Sequence, residues 1–146
     1  FCAEQRFTHV ALYRTHVTLP ALEAPMRRAV ARLHAAHLTV FAVVGAVEED
    51  PLVDVRRVRA YLAAAPPEAR FDGVVTEYEF WQTGNRWATY EALLDGARAL
   101  ATDAPPLTVA TYLGWPDEAQ ARLIRERVDV VLLHAYRDDP SECGEY

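Results

Sequence analysis

The chain has 146 residues, about half of them hydrophobic (51%), and a net charge of −6. That length suffices for one domain with a real core, and the composition is too apolar for a disordered chain. The acidic balance, with no basic cluster against it, excludes nucleic acid and an anionic membrane as expected partners, and no apolar run reaches the ~20 residues of a membrane span.

Residues 7–14 (FTHVALYR) read as a strand rich in β-branched and aromatic residues. Residues 19–36 read as a helix, with Pro25 near its start and Met26, Val30 and Leu33 at helical spacing. The apolar run 38–44 (LTVFAVV) fits a strand buried on both faces, as in a parallel sheet, and Gly45 ends it. A polar turn at 48–51 leads into a helix over 52–65, with Val55, Val58 and Leu62 on one stripe, stopped by Pro66-Pro67. A strand follows at 71–80, then a loop at 83–85 and a helix over 86–102 with Leu93, Leu94, Ala97 and Leu100 as its apolar side. Residues 104–106 break it. Residues 107–113 are a strand closed by Gly114-Trp115-Pro116, and Asp117 suits the N-cap of a short helix to about Arg127. The last strand runs over 128–136, before a polar tail that begins at Asp138-Asp139.

Strict β-α alternation with buried strands predicts parallel βαβ units with right-handed crossovers. Two α/β architectures satisfy it: an open doubly wound sheet, and an incomplete (β/α)8 barrel, whose full form takes about 250 residues. No GxGxxG follows the first strand and no phosphate-cradling loop is present, which argues against a dinucleotide site. All fifteen basic residues are arginine, so Schiff-base chemistry, pyridoxal phosphate attachment and a P-loop are excluded, and a GC-rich genome is suggested. Cys2 and Cys143 lie near opposite ends with nothing local to pair them, Cys143 has no nearby histidine to activate it, and no metal-ligand spacing exists. No cofactor is expected. The chain opens on Phe1 with no signal peptide and stops soon after a strand-like segment, as a fragment or processed chain would. Such a five-strand piece would expose apolar edges and associate.

The stretch 71–81 (FDGVVTEYEFW) organises the rest. Side chains alternate along a strand, so Val75, Glu77 and Glu79 share one face while Val74, Thr76, Tyr78 and Phe80 share the other. Two carboxylates on one face, at the end of an otherwise apolar strand, are what α/β barrels present as catalytic groups. Trp81 and Trp115 follow strand ends, and Tyr13 and Tyr112 occupy similar late positions, where rings can stack on a sugar or simply pack. A metal site of His134, Glu77, Glu79 and His9 has no supporting spacing.

These residues resemble the fourth strand of family-18 glycoside hydrolases, the chitinase group, whose motif is DxxDxDxE. Asp72 matches the first Asp and Glu79 the Glu that is the family's general acid; Glu77 stands at the third Asp, and Val75 departs from the second. Residues 7–10 (FTHV) resemble the family's second strand, 38–45 its third, and 128–136 its sixth, with Tyr136 at the family's tyrosine, His134 at its methionine and Arg137 at its aspartate. The resemblance implies strands two to six of a TIM barrel, with the remainder of a longer barrel chain supplying the others. It implies substrate-assisted hydrolysis of β-linked N-acetylhexosamine glycans, in which Glu79 is the acid, Asp72 belongs to the catalytic motif, and Glu77 and Tyr136 hold the N-acetyl group. Glu77 beside Glu79 lets the pair share a proton. Trp81, Trp115, Tyr112 and Tyr13 would contact an oligosaccharide or polysaccharide, in an extracellular or periplasmic setting. Loss of the middle acid implies the alternative of a catalytically inactive, carbohydrate-binding relative.

Overall fold

The computed structural model of the chain describes residues 7–46, 50–81, 86–103, 107–114 and 116–133. The expectations placed on Cys2, Trp115, His134, Tyr136, Asp138, Asp139 and Cys143 lie outside the described residues. The described elements are β1 (His9–Leu12), α1 (Thr15–Ala35), β2 (Thr39–Val44), α2 (Val53–Ala64), β3 (Gly73–Thr76), α3 (Trp87–Asp103), β4 (Thr108–Leu113), α4 (Glu118–Arg127) and β5 (Val130–Leu133). A single 3-10 turn, Pro67–Ala69, leads into β3.

Local chemistry accounts for the helix boundaries. Asp117 caps α4 with a complete capping box: its carboxylate accepts from the Gln120 N–H at 2.8 Å, and the Gln120 side chain accepts from the Asp117 N–H at 3.0 Å. α2 buries Val55, Val58, Tyr61 and Leu62 on one face. α1 starts earlier than expected, at Thr15, and is kinked at Leu22 (φ −133°). Pro25 explains the kink, because its ring clashes with the carbonyl four residues back and it has no N–H to donate there.

The strands form one sheet in the order β1-β2-β3-β4-β5, and every pair is parallel. A doubly wound sheet reverses its order at a switch point and carries helices on both faces. Here each strand lies beside its sequence neighbour, and the helices pack on one face. That face supplies Val40, Ala42, Val44, Val74 and Val109 to a core shared with Val30, Val58, Leu93, Leu94 and Leu100 of the helices. The other face holds a small apolar cluster of Val43, Val75 and Ala110, with Phe41 and Tyr112 against it and no helical residue. The sheet curls around this second face as a half-barrel.

The strands are also staggered. His9 is level with Thr39, whereas Val130 pairs with Ala110, which pairs with Val75, which pairs with Val43. Across the four pairings β5 therefore begins four residues farther along than β1.

Two aspartates hold this stagger at the amino ends by one device. Asp72, just before β3, donates its N–H to the Val40 carbonyl at 2.9 Å and accepts the Val40 N–H on its carboxylate at 2.7 Å. Asp129, just before β5, does the same with Val109, at 2.7 and 2.8 Å. Each carboxylate also meets a helical cation or imidazole, His34 of α1 (2.9 Å) and Arg98 of α3 (3.1 Å) respectively. β5 itself is an edge, with Val130, Val131, Leu132 and Leu133 all exposed, the last to 73%. Among the described residues no helix is long and apolar enough to cross a membrane.

Burial disfavours the ionised Asp129 carboxylate, but the Val109 N–H and the Arg98 guanidinium outweigh it and hold the group below the usual range. A depressed folded-state value stabilises the fold above the unfolded value, near about 3.9, and that stabilisation fades as pH falls through the folded-state value. Urea unfolding at pH 7 and at pH 3 should therefore show a smaller acid-induced loss of stability in Asp129→Asn than in the parent. Equal losses would remove Asp129 from the account.

Candidate active site

The candidate acids stand just past the last paired residue of β3. Thr76 pairs with Val44 and with Thr111, and the Glu77 N–H extends the ladder by donating to the Val44 carbonyl at 2.9 Å. The strand expected over 71–80 thus stops at Thr76. Its neighbour β2 ends there too, because Gly45 turns the chain away at φ 89°, a conformation glycine adopts without steric cost. Past Thr76 the side chains still alternate. Glu77 and Glu79 are half-buried, while Tyr78 and Phe80 are buried in the core beneath the helices.

Phe80 anchors this segment. Its ring centroid lies 5.2 Å from Trp81, 5.1 Å from Trp87 and 4.8 Å from Tyr90. The Tyr90 hydroxyl bonds Thr111 Oγ1 at 2.6 Å, which bonds Thr76 Oγ1 at 2.6 Å. Burial raises the Tyr90 phenol to about 12, although both threonine contacts pull it down. This buried polar chain ties α3 to the ends of β3 and β4, directly behind the acids. Nothing in the periodicity of the sequence announces it.

Trp81 packs its indole on Gly114 at the end of β4. A Cβ on Gly114 would lie 2.5 Å from indole Cε2 and 2.8 Å from Nε1, so the ring sits where any side chain at 114 would be. Packing thus uses part of the indole surface that a sugar-stacking role would need.

Two tyrosines lie at the same rim of the sheet as Glu77. Tyr13 follows β1 and Tyr112 belongs to β4, and the charges of Glu77 and Glu79 both act on the Tyr13 phenol. Partial desolvation and the nearby negative charge of Glu77 and Glu79 push the Tyr13 phenol well above its ordinary value, although the residue is about half exposed (48%). The Glu77 Oε2 atom is buried and has no hydrogen-bond partner among the described residues. An unpaired buried carboxylate oxygen is costly and marks a place where a donor belongs. Below the acids the concave face forms an open apolar trough of about 430 Å³, lined in part by His9, Phe41, Val75, Ala110, Tyr112 and Leu132.

The structure therefore gathers Glu77, Glu79, Tyr13 and Tyr112 at the carboxyl end of the sheet, with Trp81 beside them. Asp72, expected to belong to the catalytic motif, does not lie with them. It precedes β3, five residues before Glu77, roughly 16 Å of extended strand away. Its carboxylate is taken up by the Val40 N–H and by His34, whose other ring nitrogen meets the Glu68 carbonyl at 2.9 Å. Val75, where the resembled motif has an acid, is 1% exposed in the apolar cluster of the concave face. Among the described residues no group of three histidine, cysteine or acidic side chains is placed to hold a metal ion. No family model, no curated protein and no solved structure matches the chain.

Because Asp72 joins β3 to β2 and α1, Asp72→Ala should lower the unfolding free energy by about 1–3 kcal/mol, the cost of orphaning a buried backbone donor. Denaturant titration measures it, and an unchanged midpoint would contradict this placement.

Proposed function

We propose that these residues are part of a TIM barrel of the (β/α)8 type and that the protein is a glycoside hydrolase-like enzyme acting on β-linked N-acetylhexosamine glycans. The barrel reading is supported by the sequential parallel order and by a stagger that averages one residue per strand. That ratio is the one expected when eight strands close with a total shear of about eight. Three further βα units, from the remainder of a longer barrel chain, would bridge the exposed edge of β5 to the β1 edge and cover the apolar trough.

The observation that carries the enzymatic reading is the convergence of Glu77 and Glu79 at the carboxyl ends of the strands, over the concave face, where barrels of this type place their chemistry. In the proposed reaction Glu79 gives its proton to the glycosidic oxygen as the bond from that oxygen to the anomeric carbon breaks. The carbonyl oxygen of the substrate's own N-acetyl group attacks the anomeric carbon from the opposite side and forms a cyclic intermediate. Glu79, now a carboxylate, takes a proton from water as the water opens that ring, which returns the enzyme to its starting state. Glu77 accepts the acetamido N–H and so aims the carbonyl oxygen, and Tyr136 assists in the resembled family's manner. Trp81, Trp115 and Tyr112 would contact neighbouring sugars of the oligosaccharide or polysaccharide.

A second reading rests on Val75. The apolar packing of this position leaves no acid beneath Glu77 to exchange charge with it, and a protein so built can hold a glycan without cleaving it. The two readings part on Glu79→Gln. For an enzyme, turnover falls by about 10²- to 10⁴-fold, the usual worth of a general acid, while oligosaccharide affinity stays within a few-fold. A variant with full activity would remove Glu79 as the acid. Saturable binding without products, by parent and variant alike, would establish the binding protein.

A further inference from the structure

We propose that Gly114 is a positioning residue for Glu79: it is the seat of the Trp81 indole, and through that seat the end of β4 fixes the segment on which the proposed acid stands. This rests on the reading of Glu79 as the acid. Gly114 directly follows β4, where a glycine reads as an ordinary strand breaker. Its backbone, however, lies outside the left-handed region that favours glycine, unlike that of Gly45 at φ 89°. Space is what excludes a side chain there. A Cβ would lie 2.5 Å from Cε2, 2.8 Å from Nε1 and 2.9 Å from Cδ2 of Trp81. Carbon atoms in contact stand about 3.5–4.0 Å apart, so an alanine would have to push the indole roughly 1 Å away.

The indole is packed against a rigid neighbour. Trp81 stands edge-on to Phe80, with ring centroids 5.2 Å apart and planes at 83°. Phe80 is 2% exposed and packs on Tyr90 at 4.8 Å, and Tyr90, fully buried, bonds Thr111 Oγ1 at 2.6 Å. The β4 end therefore grips this segment at two points: Thr111 holds Phe80 through Tyr90, and Gly114 receives Trp81. The grip matters because β3 ends before Glu79. The Glu77 N–H still donates to the Val44 carbonyl, whereas the Phe80 N–H turns back to the Tyr78 carbonyl at 3.0 Å. Glu79 stands between Tyr78 and Phe80, whose side chains are buried in the core, and two residues before Trp81. Because the Phe80 and Trp81 rings touch, displacing the indole displaces the short stretch of chain that carries the carboxylate. Misplacing a catalytic group by about 1 Å can cost about 100-fold in rate. The seat also sets which face of the half-buried indole is left for a sugar.

Three measurements on the natural polypeptide that carries these residues test this, two of them without substrate. In a double-mutant cycle, Gly114→Ala should lower the denaturation midpoint of the parent but not that of Trp81→Ala, where no indole occupies the space. Equal losses in both backgrounds would overturn the seat. In 13C NMR of the side-chain carboxyls, with the Glu79 signal assigned by its loss in Glu79→Gln, that signal should be displaced in Gly114→Ala while the signal of exposed Glu118 on α4 stays in place. An unmoved Glu79 signal would remove the positioning role, whether or not the protein cleaves glycans. With a cleaved substrate in hand, kcat of folded Gly114→Ala should fall about 10- to 100-fold with KM within a few-fold. A parental kcat with a raised KM would contradict the proposal and assign the seat to sugar contact alone.

Discussion

Each strand of this sheet hydrogen-bonds to the strand that follows it in sequence, and the crossovers all pass over one face. Everything else depends on that constraint. Right-handed crossovers in strict order put α1 to α4 on one side, so the opposite face receives no helix and the sheet bends around it. Parallel strands also end together, so the β1, β3 and β4 ends come to one rim. Tyr13, Glu77 and Tyr112 meet there although they lie far apart in the chain.

The two ends of the sheet divide the labour between stability and chemistry. At the amino ends, Asp72 and Asp129 close the same two-bond bracket on the preceding strand, each braced by a helix that packs behind it. The bracket recurs after two βα units, which ties a repeating stagger to a repeating residue. At the carboxyl ends, polar groups are split between the faces. Tyr90, Thr111 and Thr76 satisfy one another under the helices, while Glu77 on the concave side retains an oxygen without a donor among the described residues. The Tyr78 hydroxyl, buried under the helices, likewise has no partner among the described residues, so unpaired polar atoms lie on both faces of this segment.

Much of this was legible in the sequence, for local reasons. Asp117 with Gln120 marked the start of α4 through contacts only three residues apart. Alternation placed Val75, Glu77 and Glu79 opposite Val74, Thr76, Tyr78 and Phe80, and the burial of Tyr78 and Phe80 follows that division. What was not legible depended on contacts distant in the chain. Periodicity could not choose between a doubly wound sheet and a curled one, because both use the same βα units. It carried β3 on to Phe80, since nothing near Thr76 reveals that β2 stops at Val44. It also gave Asp72 the same standing as Glu79, because the partner that occupies Asp72, His34, lies 38 residues earlier.

The central claim is that the paired acids at the carboxyl rim cleave a glycan with help from the substrate's own N-acetyl group. Proton NMR of the reaction on a β-linked N-acetylhexosamine oligosaccharide, using the natural polypeptide that carries these residues, tests it most directly. Two successive displacements at the anomeric carbon preserve its configuration, so the β-anomer should appear first and convert to the α-anomer only by mutarotation. An initial α-anomer would mean direct attack by water and would contradict the account, as would a panel of such glycans left uncleaved.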